Sequence, residues 1–141
     1  MHKVYVGWID HFFYYNVKMT ADYCNFPIET VVVDEEALKT KEWKEKKAHR
    51  FWPIMETPDG TLISEAAAIS AYIARSAENK SFIGKNAFDE AQIDQWVSFA
   101  SASISPHMKT IAYQIFGWQD DKASYDQAVR MTKDAVKVLN T

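Results

Sequence analysis

The sequence predicts an α/β domain over residues 1–80, followed by a shorter, wholly helical segment over residues 86–141. Three observations predict it. Two β-branched runs flank a helical stretch near the start, a turn-centred strand pair follows Pro53, and from Asn86 onward apolar residues recur only at helical spacing.

Residues 3–9 read as a buried strand, with Val4, Tyr5, Val6, Trp8 and Ile9 around one glycine. Asp10 and His11 break it. A helix is expected over 13–25, with Phe13, Val17, Thr20, Ala21 and Cys24 on its inner face. Pro27 ends that unit, and residues 28–33 form a second strand. A strand, a helix and a strand in succession normally make a parallel pair. Residues 35–50 are charged and helix-prone, with Leu38 and Trp43 as their main apolar side chains. Residues 53–56 and 61–63 flank the turn Pro58-Asp59-Gly60, which reads as a β-hairpin. Ser64 stands where an N-cap belongs, ahead of a helix over 65–77 that buries Ala68, Ile69, Tyr72 and Ile73. The order β-α-β-α-β-β-α is thioredoxin-like. A dinucleotide-binding unit would need a glycine-rich first turn, which is absent.

Residues 78–85 read as a linker. Asn86 and Asp89 then form a capping arrangement, and Phe88, Ile93, Trp96, Val97, Ala100 and Ile104 are expected to point inward. Pro106 falls inside this pattern and predicts a kink or break near Ser105. Ile111, Ile115 and Phe116 continue it to Gly117, a helix stop. Asp120 or Asp121 caps a last helix with Tyr125, Ala128, Val129, Thr132, Ala135, Val136 and Leu139 on one face. A full bundle would cover these apolar faces. Either another chain covers them or the sequence is part of a longer one.

Composition narrows the function classes. The 48% hydrophobic and 25% charged content is that of a globular chain, and the 14% aromatic share suits a ring-rich core or a protein-binding surface. A net charge of −3 gives no reason to expect nucleic acid or acidic membranes. No apolar run approaches the ~20 residues of a membrane span. The single cysteine, Cys24, allows no internal disulfide and lies on a buried helix face, so an inert thiol in a reducing compartment is expected. With no secretory pattern at the start, a cytoplasmic location is the expectation. Lys39, Lys41, Lys44, Lys46, Lys47 and Arg50 interleave with Glu42 and Glu45, as on a solvated helix face. His2, His49 and His107 stand at no metal-ligand spacing, so no metal site is expected.

The segment 40–75, TKEWKEKKAHRFWPIMETPDGTLISEAAAISAYIAR, resembles the middle of the glutathione-transferase N-terminal domain. There a proline opens a strand, Asp-Gly closes a hairpin and an acidic residue starts a helix. More narrowly, Gln95-Trp96-Val97-Ser98-Phe99-Ala100 is similar to the first C-terminal-domain helix of the gamma subunit of eukaryotic elongation factor one, whose transferase-like domain serves assembly. The resemblance implies an α/β thioredoxin-like N-terminal domain followed by a truncated all-α glutathione-transferase C-terminal domain.

It also implies a site. Pro53 matches the cis-proline that closes the family's ligand cleft, and Trp52 the residue whose backbone meets glutathione. Glu65 matches the acidic residue at the helix start, where free N–H groups and the dipole favour a carboxylate. The serine that follows in the family is Ala66 here. The loop that carries the family's catalytic hydroxyl or thiol reads Asp10-His11-Phe12-Phe13, with Tyr14 and Tyr15 only at the helix start. His11 is expected to be an incidental loop residue, and an acidic Asp10 would oppose a thiolate. Phe51 and Trp52 replace smaller residues, which implies a filled cleft. Trp52, Pro53 and Glu65 therefore outline a vestigial glutathione site, with no catalytic residue and no required cofactor, glutathione being the one possible ligand.

The expected function is a non-catalytic scaffold of elongation-factor-gamma type, partnered by proteins that cover the helical segment or by further copies of itself. A glutathione-dependent transferase is the alternative, and a structural subunit of a large complex is a third.

Overall fold

A computed structural model describes residues 1–9, 11–48 and 50–139. The chain divides into two compact units, Met1–Ile83 and Gly84–Thr141.

The first unit is a four-stranded sheet with helices on both faces. Its elements run β1 (His2–Val6), α1 (Phe12–Tyr23), β2 (Ile28–Val32), α2 (Glu35–Lys39), α3 (Lys41–Lys47), β3 (Ile54–Glu56), β4 (Leu62–Ser64) and α4 (Ala66–Ser76). The strand order is β2-β1-β3-β4. β1 runs parallel to β2 and antiparallel to β3, which pairs antiparallel with β4. This is the thioredoxin-like layout. Successive side chains of a strand alternate between faces. Val4, Val6 and Met55 accordingly enter one core with Val17, Ala21, Ile69 and Ile73 of α1 and α4, while Tyr5 and Ile54 enter a second with Leu38 and Trp43 of α2 and α3.

Several local expectations change. β1 ends at Val6, leaving Trp8 and Ile9 exposed, and Ala68 of α4 is exposed. The buried stripe of α1 is Tyr14, Val17 and Ala21, continued by Cys24, and Phe13 is only half-buried. Tyr14 enters the core because its hydroxyl is hydrogen-bonded to Thr30 Oγ1 across to β2, which satisfies the polar tip. The charged stretch from Glu35 forms two helices rather than one. Thr40, with extended backbone, ends α2 and caps α3 by accepting from the Trp43 N–H, and Asp34 caps α2 through the Ala37 N–H. Ser64 is not an N-cap. It is paired with Ile54 as the last residue of β4, so the helix boundary passes to Glu65.

In the second unit, α5 (Ala87–Phe99) passes through a π-helical turn (Ala100–Ile104) into α6 (Ser105–Ile115), and α7 (Lys122–Val138) packs back along α6 and that turn. The break near Ser105 has a clear cause. Pro106 has no N–H to donate and its ring crowds the carbonyl a turn earlier, so the ladder widens there. The Ser105 N–H and hydroxyl both donate to the Ala100 carbonyl. Asn86 caps α5 by accepting from the Phe88 and Asp89 N–H groups, and Asp121 caps α7 through the Ser124 N–H. Gly117, at φ 71°, ends α6. The Trp118 N–H donates to the Tyr113 carbonyl and the Gly117 N–H to that of Gln114, a left-handed helix cap sealed by edge-on contact of the Tyr113 and Trp118 rings.

The expected inner face of the first helix of this unit is not buried. Phe88, Ile93, Trp96 and Val97 are all exposed, and α5 has no buried residue. Val136 and Leu139 near the end of α7 are exposed as well. The physical reason is length. At ~1.5 Å per residue the near-continuous helix 87–115 spans about 43 Å, against about 26 Å for α7, so α7 packs chiefly on α6 and the π turn.

Candidate functional site

The three residues singled out by resemblance converge at one end of the sheet. Ile54 pairs with Tyr5 on one side and with Ser64 on the other. Pro53, one residue before Ile54, and Glu65, one residue after Ser64, are therefore register neighbours, and the end of β1 lies beside them. The strand pairing alone brings these three chain segments together.

The Trp52–Pro53 peptide bond is cis and Pro53 is fully buried. Trp52 is half-buried and turns toward the α2/α3 side of the sheet, with its ring 5.9 Å from that of Trp43. It also lies over Gly7: a Cβ on that glycine would stand 2.7 Å from the indole Nε1. A side chain at residue 7 would therefore have to displace the indole. Phe51 does not fill the cleft with Trp52; its ring is 74% exposed. Lys47 bridges the two, its Nζ 5.0 Å from the Trp52 ring and 5.9 Å from that of Phe51, both within cation–π range.

Glu65 sits at the head of α4 with φ 71°, a left-handed conformation that costs a non-glycine residue energy. Its side chain is exposed and makes no cap hydrogen bond, so α4 begins on uncapped amides of Ala66 and Ala67. That end offers backbone N–H groups and a positive dipole to an anion, without a hydroxyl to supplement them.

The loop after β1 differs from expectation. Asp10 lies outside the described residues. His11 is not an exposed loop residue: it is 8% exposed, between Trp8 (ring centroids 4.6 Å apart) and a stacked Phe12 (5.3 Å). Burial holds its pKa below the usual value, and its Nδ1 is buried without a hydrogen-bond partner among the described residues. The sequence signal for this burial is the pair of rings that flank it, Trp8 and Phe12. The nearby hydroxyls are engaged elsewhere. Tyr14 is bonded to Thr30, and Tyr5 donates to Glu56 Oε2 at 3.1 Å on the opposite face of the sheet.

That opposite face holds a charged cluster built on Lys46, one residue of the basic run read as a solvated helix face. Lys46 Nζ lies 2.8 Å from Glu56 Oε2 and 3.1 Å from Glu42 Oε1, over the Tyr5 and Trp43 rings. The hydrogen bond to Glu56 raises the Lys46 pKa, and the same bond lowers that of Glu56. Burial, then the bond to Glu56, raises that of Tyr5. The cluster fastens α3 to β1 and β3. Among the described residues no group of acidic, histidine and cysteine side chains is arranged to hold a metal ion, and no helix is long and apolar enough to cross a membrane.

The cis-proline, the adjoining helix start and the mixed sheet define a glutathione-transferase-like fold. Comparison with solved structures agrees: the yeast protein Ure2p in complex with glutathione superposes over 98% of this chain and 61% of its own with a TM-score of 0.84, at 14% sequence identity. In sequence the chain is similar to the gamma subunit of elongation factor one, at 33% identity with the Prunus avium protein over 63% of this chain and 21% of that one. It is equally similar, at 33%, to a glutathione S-transferase-like protein of Fusarium, LUC7, over 64% of this chain and 40% of that protein. No family model matches. The chain spans about a fifth to two fifths of the length of these curated relatives.

Proposed function

We propose that this chain is a non-catalytic scaffold domain that makes protein–protein contacts, of the kind found in elongation factor one gamma, working in the cytoplasm and in translation elongation. One observation carries the proposal. The site has the cis peptide at Pro53 that the resemblance implies but lacks the family's side-chain chemistry: Ala66 stands where the family has serine, and the Tyr14 hydroxyl is bonded to Thr30. A thiol is activated by a hydrogen bond or positive charge that favours the thiolate. His11, buried and with its pKa pushed down by burial, is a poor source of positive charge. The exposed rings of the helical unit point the same way, because large exposed apolar patches mark interaction surfaces. We place the partner there, a protein covering the helical unit.

The competing proposal, a glutathione-dependent transferase, draws on that cis peptide and on the glutathione bound by Ure2p. Two measurements decide. On the scaffold proposal the purified protein passes through immobilised glutathione and conjugates a generic electrophile no faster than the uncatalysed rate. Retention together with turnover well above background would remove it. Glutathione binding without turnover fits a scaffold that has kept a vestigial site at Trp52, Pro53 and Glu65.

A further inference from the structure

The sheet of the first unit ends on β2, and that edge presents open backbone. The order β2-β1-β3-β4 gives β2 a neighbouring strand on one side only. Along it, the Val33 N–H donates to the Val6 carbonyl. In an extended strand the N–H and C=O of one residue leave by the same edge, and successive residues alternate edges. Glu29, Val31 and Val33 therefore turn their backbone groups to β1, while Ile28, Thr30 and Val32 turn theirs away from the sheet. Among the described residues no loop, cap or side chain bonds to those outward groups, and the Val32 side chain is 53% exposed. The edge is also held in shape. The Tyr14 hydroxyl bonds the Thr30 side chain, Ile28 packs on the α1/α4 core and Val31 on the core under α2 and α3. A fixed row of unpaired N–H and C=O groups is a template for a further strand.

The side chains that cross the sheet through Glu29 define what that strand should carry. Glu29 is in register with Lys3 of β1, and Lys3 with Glu56 of β3. Each alternates with a residue directed to the α1/α4 side (Thr30, Val4 and Met55), so all three lie on the α2/α3 face. The row reads acid, base, acid. Glu56 is satisfied by Lys46, whereas Glu29 forms no ion pair among the described residues. The flanks add only acids: residues 26–38 hold Glu29, Asp34, Glu35 and Glu36 and no lysine, arginine or histidine. An antiparallel strand laid on this edge would set one residue directly across from Glu29 in a non-hydrogen-bonded pair, where side chains stand closest. A lysine or arginine there continues the alternation, and cross-strand pairs of opposite charge are stabilising.

A second copy of this chain does not supply that residue. Two β2 edges laid together meet only residues within 26–38, which contain no cation. The other open edge, β4, lies within residues 53–74, which contain none either.

We propose that the β2 edge takes up an extended segment of a different protein as a fifth, antiparallel strand. That segment carries lysine or arginine opposite Glu29 and β-branched side chains opposite Ile28, Thr30 and Val32. In strand addition the main-chain bonds give affinity and the alternate side chains give selectivity. The surface belongs to the first unit, adds a contact to the scaffold proposal and does not depend on it.

The probe is an N-terminally fluorescein-labelled peptide, SVTVKVS, titrated into the full chain and read by anisotropy. Its lysine falls opposite Glu29 and its three valines opposite Ile28, Thr30 and Val32. Binding is expected, weakened about fivefold when the peptide lysine becomes glutamate, and E29K should prefer the glutamate peptide. Should E29K fail to fold by circular dichroism, E29Q takes its place, and the preference for the lysine peptide should vanish. N-methylation of the three valines removes the donors that face β2 and should cost about tenfold or more. N-methylation of the peptide threonine and lysine, whose N–H groups face away, should cost little. Hydrogen exchange followed by NMR should slow at the Ile28, Thr30 and Val32 amides when the peptide is added. Absence of binding, or equal loss from the two N-methylated peptides, overturns the proposal and leaves Glu29 as a charge that guards an idle edge. Protection of the same amides on raising the protein concentration alone overturns it too, because a second copy is then the occupant. Glutathione turnover bears on none of these readings and would sink the scaffold proposal alone.

Discussion

Single residues show how far local environment outruns residue type. His11 stands in a polar-looking break, yet its ring is enclosed by Trp8 and Phe12 and its pKa is held down by burial. A histidine whose folded-state pKa lies below its unfolded value of ~6.5 binds its proton more readily in the unfolded chain. Its stability contribution is complete above that value and is lost as pH falls through it toward the folded pKa. Denaturant melts between pH 7.5 and 5 should therefore show stability dropping on acidification, and His11→Phe should flatten the slope. Part of the slope will remain, since His2 is shifted down too, mainly by burial. A slope unchanged in H11F would show that His11 is not the responsible group. Lys46 and Glu56 form the opposite case, a part-buried pair in which removing one partner strands the other. Lys46→Met should destabilise the fold by about 1–3 kcal/mol, read as a lower denaturant midpoint. A loss below a few tenths of a kcal/mol would mean that the pair is as weak as an exposed one.

At the level of elements, boundaries are set by particular backbone conformations. Gly117 closes α6 at positive φ with open space around its α-carbon, so Gly117→Ala meets no clash and suffers only the backbone penalty. The expected cost is about 1 kcal/mol. Chemical denaturation checks it, and no change would show that the helix end re-forms without the left-handed cap. Gly7 is the contrasting glycine. Its Cβ would strike the Trp52 indole, so Gly7→Ala must displace that ring, at about 1–3 kcal/mol. The displacement should also alter tryptophan near-UV dichroism. An unchanged spectrum and an unchanged midpoint would refute the close approach. The caps at Asn86 and Asp121, the glycine stop at Gly117 and the disruption before Pro106 were all legible in sequence, because each rests on a residue's own donors, acceptors or allowed torsions. Ser64 misled for the same reason. It is a good N-cap by type, but its pairing with Ile54 is decided by a neighbouring strand.

Across the whole molecule, each unit has its own logic. The first keeps two cores on either side of one sheet, and the register of β1, β3 and β4 gathers the chain segments of the candidate site. The second spends its apolar side chains on surface rather than core, with Ala128 the one residue of its helices that is buried among those described. The consequence falls on association. A chain with this many exposed rings should bind an apolar-surface dye such as ANS, and Trp96→Ala with Phe88→Ala should reduce the signal without lowering the stability of the first unit. Dye binding indifferent to both substitutions would place the exposed apolar surface elsewhere.

What the sequence determined by itself was the thioredoxin-like class, the order of elements apart from the division of the charged stretch at Thr40, and the alanine at position 66; the cis Trp52–Pro53 bond was expected only through the family resemblance. Periodicity, turn chemistry and motif resemblance are all local or near-local quantities. What tertiary structure decided was direction: that Tyr14 rather than Phe13 enters the core, that His11 is enclosed, that Phe51 faces solvent while Trp52 covers Gly7, and that no residue of α5 is buried. An amphipathic pattern states that a face is to be covered. Whether a given chain covers it depends on the lengths and positions of other elements, and here α7 packs chiefly on α6 and the π turn.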